Sequence, residues 1–269
     1  MPEVRHIMAV LFILLIAYGG WKVKSLTISG AIGAFIVGFL VYLGFSFQGL
    51  LLLGSFFASS SLLSKFQRSK KLSLEDMLVK GDRRDIIQVL ANGGVPALLG
   101  LLQYTDKIFS EQTLLLGFCI SIAAANADTW ASEIGTLSKQ KPRLLLTLKK
   151  VERGTSGAVS ILGTCAAIAG ASFISIFAWF MFSLSLHLTV LIIAFGFLGN
   201  LIDTLLGQTF QLKYKCKVCG KITEKQYHCE TSGIKQTKFS FLNNDAVNFL
   251  SIILSSLLAF ILLSHINGQ

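Results

Sequence analysis

Long apolar runs alternate along the chain with short connections rich in lysine and arginine. Runs near the ~20 residues that a bilayer demands cover roughly 4–20, 26–45, 47–63, 85–103, 112–130, 157–181, 187–210 and 246–265. They predict an all-α fold, a polytopic membrane helix bundle of about eight transmembrane helices, with 1–269 forming a single integral membrane domain. Its longer connections, about 64–84, 131–153 and 211–245, hold most of the polar chemistry. The run 7–17 has the length of a signal-peptide core. Only Arg5 and His6 precede it and no Ala-x-Ala site follows, so it reads as a retained first span.

Composition narrows the class. Hydrophobic residues make up 53% of the chain and charged residues only 14%, whereas about a quarter of a soluble domain is charged. A soluble globular protein is excluded. The net charge of +10 is unevenly spread: the connections after the first, third, fifth and seventh runs hold 22 of the 24 Lys and Arg, leaving Arg5 and Lys107 opposite. That asymmetry orients the basic connections to the cytoplasm and both termini outside, in a multi-pass protein of the cell membrane. No aromatics alternate with base-reading residues in these loops, so no nucleic-acid partner is expected.

The stretch from Asn126 to Gly157 carries the strongest chemical signal. It reads Asn-Ala-Asp128-Thr-Trp-Ala-Ser132-Glu133-Ile-Gly, then a basic segment with Lys141, Arg143 and Lys150, then Gly154-Thr155-Ser156-Gly157 at the expected start of the sixth run. Carboxylates beside hydrocarbon are costly and mark functional sites. On a regular helix Asp128 and Ser132 share a face while Glu133 points elsewhere, so either the helix unwinds near Trp130 and the two carboxylates meet one ion, or each does a separate job. A glycine-rich helix start offers free N–H groups to phosphate. Carboxylates for magnesium, basic clamps and such a turn are recurring parts of phosphoryl transfer.

Other candidates extend the site. Lys65 stands at the mouth of the third run, inside a loop that is either a solvated connection or an amphipathic surface helix. Arg84 opens the fourth run, and Asn92 precedes a Gly-Gly-x-Pro sequence that weakens a helix. Asn92 either faces a polar site beside a broken helix or marks a packing kink. Asp203, at the end of the seventh run, is a second metal-binding carboxylate or one half of a structural ion pair. Asn243, Asn244 or Asp245 caps the last helix; with Asn248 they exceed what a cap needs. In the last loop, Cys216, Cys219, His228 and Cys229 form either a structural zinc site or an incidental or redox thiol pair.

The motifs Gln88–Gly94, Ala127-Asp-Thr-Trp-Ala-Ser-Glu-Ile-Gly135, Lys141-Pro-Arg143, Gly154–Gly157, Asp203-Thr-Leu-Leu-Gly207 and Asn243–Asn248 span most of the chain. On these residues the sequence resembles the DUF92 family of polytopic membrane proteins, which includes animal TMEM-type members and plant phytyl-phosphate kinase. The resemblance implies a kinase that phosphorylates an isoprenoid monophosphate to the diphosphate with a nucleoside triphosphate, CTP being expected. Magnesium would be held by Asp128, Glu133 and Asp203. Lys150 would serve as a catalytic cation, with Lys65, Arg84, Asn92, Ser132, Lys141, Arg143, the Gly154–Gly157 turn, Asn244, Asp245 and Asn248 as binding residues. A looser similarity of Asp128-x-x-Ala-x-x-x-Gly135 to dolichol kinases and CDP-diacylglycerol synthases also implies CTP and magnesium. A cytidylyltransferase making a CDP-lipid and a transporter are the competing readings.

Overall fold

The computed structural model describes residues 2–67, 83–105, 109–236 and 240–267. The 68–82 part of the first long loop, where either a solvated connection or a surface helix is expected, lies outside these residues. The described chain forms seven helices long and apolar enough to cross a membrane: α1 (Pro2–Lys22), α2 (Ile28–Lys65), α3 (Ile86–Thr105), α4 (Glu111–Gly135), α5 (Ile161–Phe182), α6 (Leu186–Thr209) and α7 (Asn244–Asn267).

α2 accounts for two of the eight predicted spans. A straight helix of its 38 residues would be about 57 Å long. Instead Ser46 takes φ 56° and ψ −155° and the second arm returns. Lys65 Nζ donates to Val23 O at 2.7 Å, and Arg84 donates to Ser61 Oγ at 3.1 Å while its backbone carbonyl accepts from Thr27 N. Both ends of α2 therefore lie at one face, which also receives the ends of α4 and α6 and the starts of α3, α5 and α7. All the basic connections leave from this face.

The helices begin where short polar side chains replace the free N–H partners of a first turn. Thr27, Ser110, Ser160 and Ser185 each accept from the amide three residues on. Asp85 and Gln88 exchange bonds reciprocally at the start of α3, the capping-box arrangement. Asn243 accepts from Ala246 N at 2.8 Å and caps α7.

The most buried helix is α4, and it packs against α2, α3, α5, α6 and α7. Small residues permit these approaches, as is usual in lipid: Gly135 meets Gly163, Gly170 meets Asn126 O and Trp130, Gly196 meets Ala123, and Gly199 meets Ala124. The stacked Phe45 and Phe118 rings, 4.0 Å between centroids, fill the core where α2 turns. Asn126, fully buried, donates to Gly170 O at 2.7 Å and accepts from Ser59 Oγ at 3.1 Å, tying α2, α4 and α5 together. α3 stays helical through Gly93, Gly94 and Pro96, so the weakening expected there produces no break. Gly93 instead admits Val37, and Gly100 lies against Leu40 O.

Two loops carry short strands that the hydropathy pattern did not reveal. β1 (Arg143–Leu144) pairs antiparallel with β2 (Ala158–Val159). β3 (Tyr214–Lys215) pairs with β4 (Ile222–Thr223) and β7 (Ile234–Lys235), and β5 (Tyr227–His228) pairs with β6 (Thr231–Ser232). Both loops fold back over the basic face.

Candidate active site

A cavity of about 630 Å³ opens at that face, between the ends of α3, α4, α5, α6 and α7 and beneath the two stranded loops. Its volume suits a small-molecule site. Asp128 and Ser132 from α4, Asp203 from α6, Arg84 and Asn92 around α3, the Gly154–Gly157 turn, and Asn244, Asp245 and Asn248 from α7 all line it. Residues more than a hundred positions apart in sequence thus share one wall.

Two aspartates form its inner part. Asn200 Nδ2 donates to Asp128 Oδ1 at 3.1 Å. One turn further along α6, Asp203 accepts from Ser251 Oγ at 3.3 Å, and the Asn248 amide also reaches it at 3.0 Å. Both carboxylates line the same cavity. Glu133 is held apart: α4 is unbroken at Trp130, and Ser64 Oγ donates to Glu133 Oε1 at 2.6 Å. Among the described residues, Asp128, Glu133 and Asp203 do not form a three-ligand cluster; the one such cluster is Cys216, Cys219, His228 and Cys229. Glu133 therefore shares the cavity with the aspartates without joining them at one ion.

The expected basic clamp is arranged differently. Lys141 pairs with Glu152 at 2.8 Å on the surface, where Lys141 lowers the Glu152 carboxyl below its ordinary range. Arg143 lies on β1, bridged to Lys150, and both are exposed. Lys65 is spent on Val23 O. None of these four lines the cavity; among the described residues the cations that do are Arg84 and Arg153. Five carboxylates line it among the described residues: Asp128, Glu133, Asp203, Glu224 and Asp245.

The Gly154–Gly157 turn also sits elsewhere than expected. α5 starts at Ile161 behind the Ser160 cap, so the turn precedes β2 and does not open the helix. Gly157 has φ +75°, and a Cβ there would strike the backbone nitrogen of Gln208. Only glycine fits that approach.

Gln211 joins the parts and was not singled out by the sequence. Only 3% exposed, it accepts from Ser156 Oγ and donates to Glu224 Oε1 at 2.8 Å and Asn244 Oδ1 at 3.3 Å. Beside it, Lys213 Nζ donates to Ser156 O at 2.8 Å. Burial pushes that ammonium down to about 8, Glu224 opposing the shift. Asn200 and Glu224 were likewise not named as site residues, and Gln88 was named only as the start of the Gln88–Gly94 motif. The signal available was a run of amides and a carboxylate at helix ends and beside the cysteine motif, where caps and loops ordinarily account for such residues.

A second, apolar slot of about 90 Å³ lies between α1, both arms of α2 and α3. Ile13, Val37, Gly38, Leu53, Gly54 and Phe57 are among its lining residues. It shares Arg84, Gln88 and Asn92 with the polar cavity, so the two spaces adjoin.

Comparison with known proteins follows the same outline. The chain is 36% identical to Protein PGR of Arabidopsis thaliana over 96% of both chains. It is 37% identical to the uncharacterized membrane protein MJ0933 of Methanocaldococcus jannaschii over 78% of this chain and 85% of that one. It is 28% identical to Protein VTE6, chloroplastic, of Arabidopsis thaliana over 89% of this chain and 66% of that one. No solved structure matches. The family model described as Integral membrane protein DUF92 matches residues 11–256, and with the helix bundle above, the chain belongs to that family of multi-pass membrane proteins.

Proposed function

We propose that this protein is a lipid-phosphate kinase that transfers the γ-phosphoryl group of a nucleoside triphosphate, with CTP as the expected donor, to an isoprenoid monophosphate. The observation that carries the reading is the juxtaposition of two spaces. A polar, carboxylate-rich cavity at the basic face adjoins an apolar slot inside the bundle, with Arg84, Gln88 and Asn92 common to both. An amphiphile with an anionic head and a hydrocarbon tail matches that pair. The first carbons of the tail occupy the slot and the rest lies in lipid. The head meets Arg84 at the junction.

Charge adds a second support. Among the described residues, five carboxylates against two guanidiniums would repel a polyphosphate at close range. A divalent cation removes the conflict. Asp128 and Asp203 would hold magnesium, an ion that takes one or two carboxylates and fills its remaining positions with substrate phosphates and water. When bound, it would supply charge neutralisation on the transferring phosphoryl group. Arg153 and the backbone of the Gly154–Gly157 turn face the same space and suit the other phosphate oxygens.

The chemistry asks little more of the chain. A monophosphate oxygen attacks the γ-phosphorus, and a new P–O bond forms. The bond from that phosphorus to the β–γ bridging oxygen breaks, its electron pair leaving with the nucleoside diphosphate. The attacking oxygen is already ionised, so no general base is required. Catalysis is then positioning and electrostatic stabilisation. On the positive-inside orientation the cavity opens to the cytoplasm, where nucleotides are present.

The test is to incubate purified protein with γ-labelled CTP, magnesium and a panel of prenyl monophosphates. Label in a lipid diphosphate is the expected result. Pyrophosphate with a CDP-lipid would establish the cytidylyltransferase instead, and no turnover with any lipid phosphate or nucleotide would overturn both.

A further inference from the structure

We infer that Cys216, Cys219, His228 and Cys229 bind one structural zinc ion, which holds the 211–236 loop against the cavity so that its side chains complete the wall. The inference does not depend on the reaction proposed above.

The ligand atoms of these four residues all lie within 4.8 Å of one another. A tetrahedral site with Zn–S and Zn–N bonds near 2.3 and 2.0 Å has ligand-to-ligand edges of roughly 3.5–3.8 Å. Cys219 Sγ is 3.5 Å from His228 Nδ1, and Cys229 Sγ is 3.2 Å from the same nitrogen. All three cysteines are free thiols, and thiolates with an imidazole select zinc over the hard cations that carboxylates prefer.

The backbone is shaped for this convergence. Gly220, at φ +72°, closes the Cys216–Cys219 turn by donating to Cys216 O at 3.1 Å. Adjacent ligands such as His228 and Cys229 ordinarily point apart. Here Cys229 and Glu230 both adopt left-handed backbone, φ 51° and 59°, which non-glycine residues rarely do. That turn between β5 and β6 brings the Cys229 sulfur beside the imidazole. Three thiolates and one neutral imidazole around Zn²⁺ give the site a net charge of −1, and Lys217, Lys221 and Lys225 are its neighbours in sequence. Binding displaces three thiol protons to solvent.

The loop needs such a staple. Its five strands are two residues each, and strand pairs this short do not hold together unaided. The same loop supplies Gln211, Tyr214, Glu224 and Gln226 to the cavity wall. Cys216 follows Tyr214 by two residues, and Glu224 directly follows β4. Fixing the sulfur cluster therefore fixes the register of β3 and β4, and with it the Gln211 to Glu224 bond.

The experiment uses the full chain in detergent, purified without metal-affinity resin. Elemental analysis should find one zinc per chain, and C219S should lose it. Trypsin cleavage after Lys217, Lys221 and Lys225, slow in the wild type, should accelerate at least tenfold once a zinc chelator is added, and return to its first rate when zinc is restored. A wild-type protein that remains well below stoichiometric zinc after incubation with zinc sulfate overturns the site. So does a C219S variant that retains the metal undiminished. Cleavage indifferent to chelation overturns the role in holding the loop. None of these readouts uses turnover, so they stand whether or not the protein phosphorylates a lipid.

Discussion

Replacing Gln211 with leucine isolates the contact that joins three segments of the cavity wall. The substitution keeps the volume close and removes an acceptor and two donors. Ser156 Oγ loses its acceptor, while Glu224 Oε1 and Asn244 Oδ1 lose the donor that serves them. A neutral hydrogen bond contributes about 1 kcal/mol net and one to a charged partner about 1.5–3 kcal/mol, which gives roughly 4 kcal/mol for the set. Ser156, Glu224 and Asn244 line an open cavity, so water recovers part of the loss and about 2–3 kcal/mol remains. Thermal unfolding in detergent, followed by tryptophan fluorescence, should show a fall of several degrees. Q211E sharpens the test, because it sets a second carboxylate against Glu224. It should be worse than leucine at pH 7.5 and recover towards pH 4.5, where carboxylates begin to protonate. A leucine variant within about 0.5 kcal/mol of wild type would refute the claim that Gln211 holds the wall together.

Four further outcomes follow from the geometry. D128N and D203N should each reduce the proposed phosphoryl transfer at least about a hundredfold, yet D128N should unfold no earlier than wild type, since an asparagine oxygen still accepts from Asn200; parallel assays of turnover and melting check this. G157A should cost about 2–4 kcal/mol, from the φ of +75° and the contact with the Gln208 backbone together, and chemical denaturation measures it. G54L places a side chain in the apolar slot from a position with no neighbour within 4 Å; displacing the first three or so methylenes of a tail at ~0.8 kcal/mol each should raise KM in the proposed reaction some thirtyfold or more for prenyl phosphates of every chain length, because the slot holds only the carbons nearest the head. Lys213 sets a pH dependence: its folded value of about 8 lies below the unfolded ~10.4, so the unfolded chain binds the extra proton between those limits and stability rises with pH there. Wild type should therefore gain about 1–2 kcal/mol on K213M between pH 7 and 10, read from paired melting curves.

The sequence alone determined the class and the spans, because each follows from local quantities. A run such as 112–130 must cross lipid whatever its neighbours do, and the asymmetry of lysine and arginine predicts that the basic connections share one face. The α2 hairpin was legible for the same reason: 26–45 and 47–63 are each one membrane thickness. Asp128 and Asp203 were also legible, since a carboxylate at the end of an apolar run has few inexpensive explanations. Tertiary structure decided which polar residues share a space. Lys65, Lys141, Arg143 and Lys150 look equivalent to Arg84 and Arg153 in a basic loop, and only the fold spends the first four on carbonyls, an ion pair and strand edges. Gln211 carries no motif, and its importance comes from where the last loop folds back. Hydropathy fixes depth in the membrane, whereas a site is a set of directions across it, and those are set by helix rotation, a left-handed turn at Cys229 and a glycine-sized approach at Gly157.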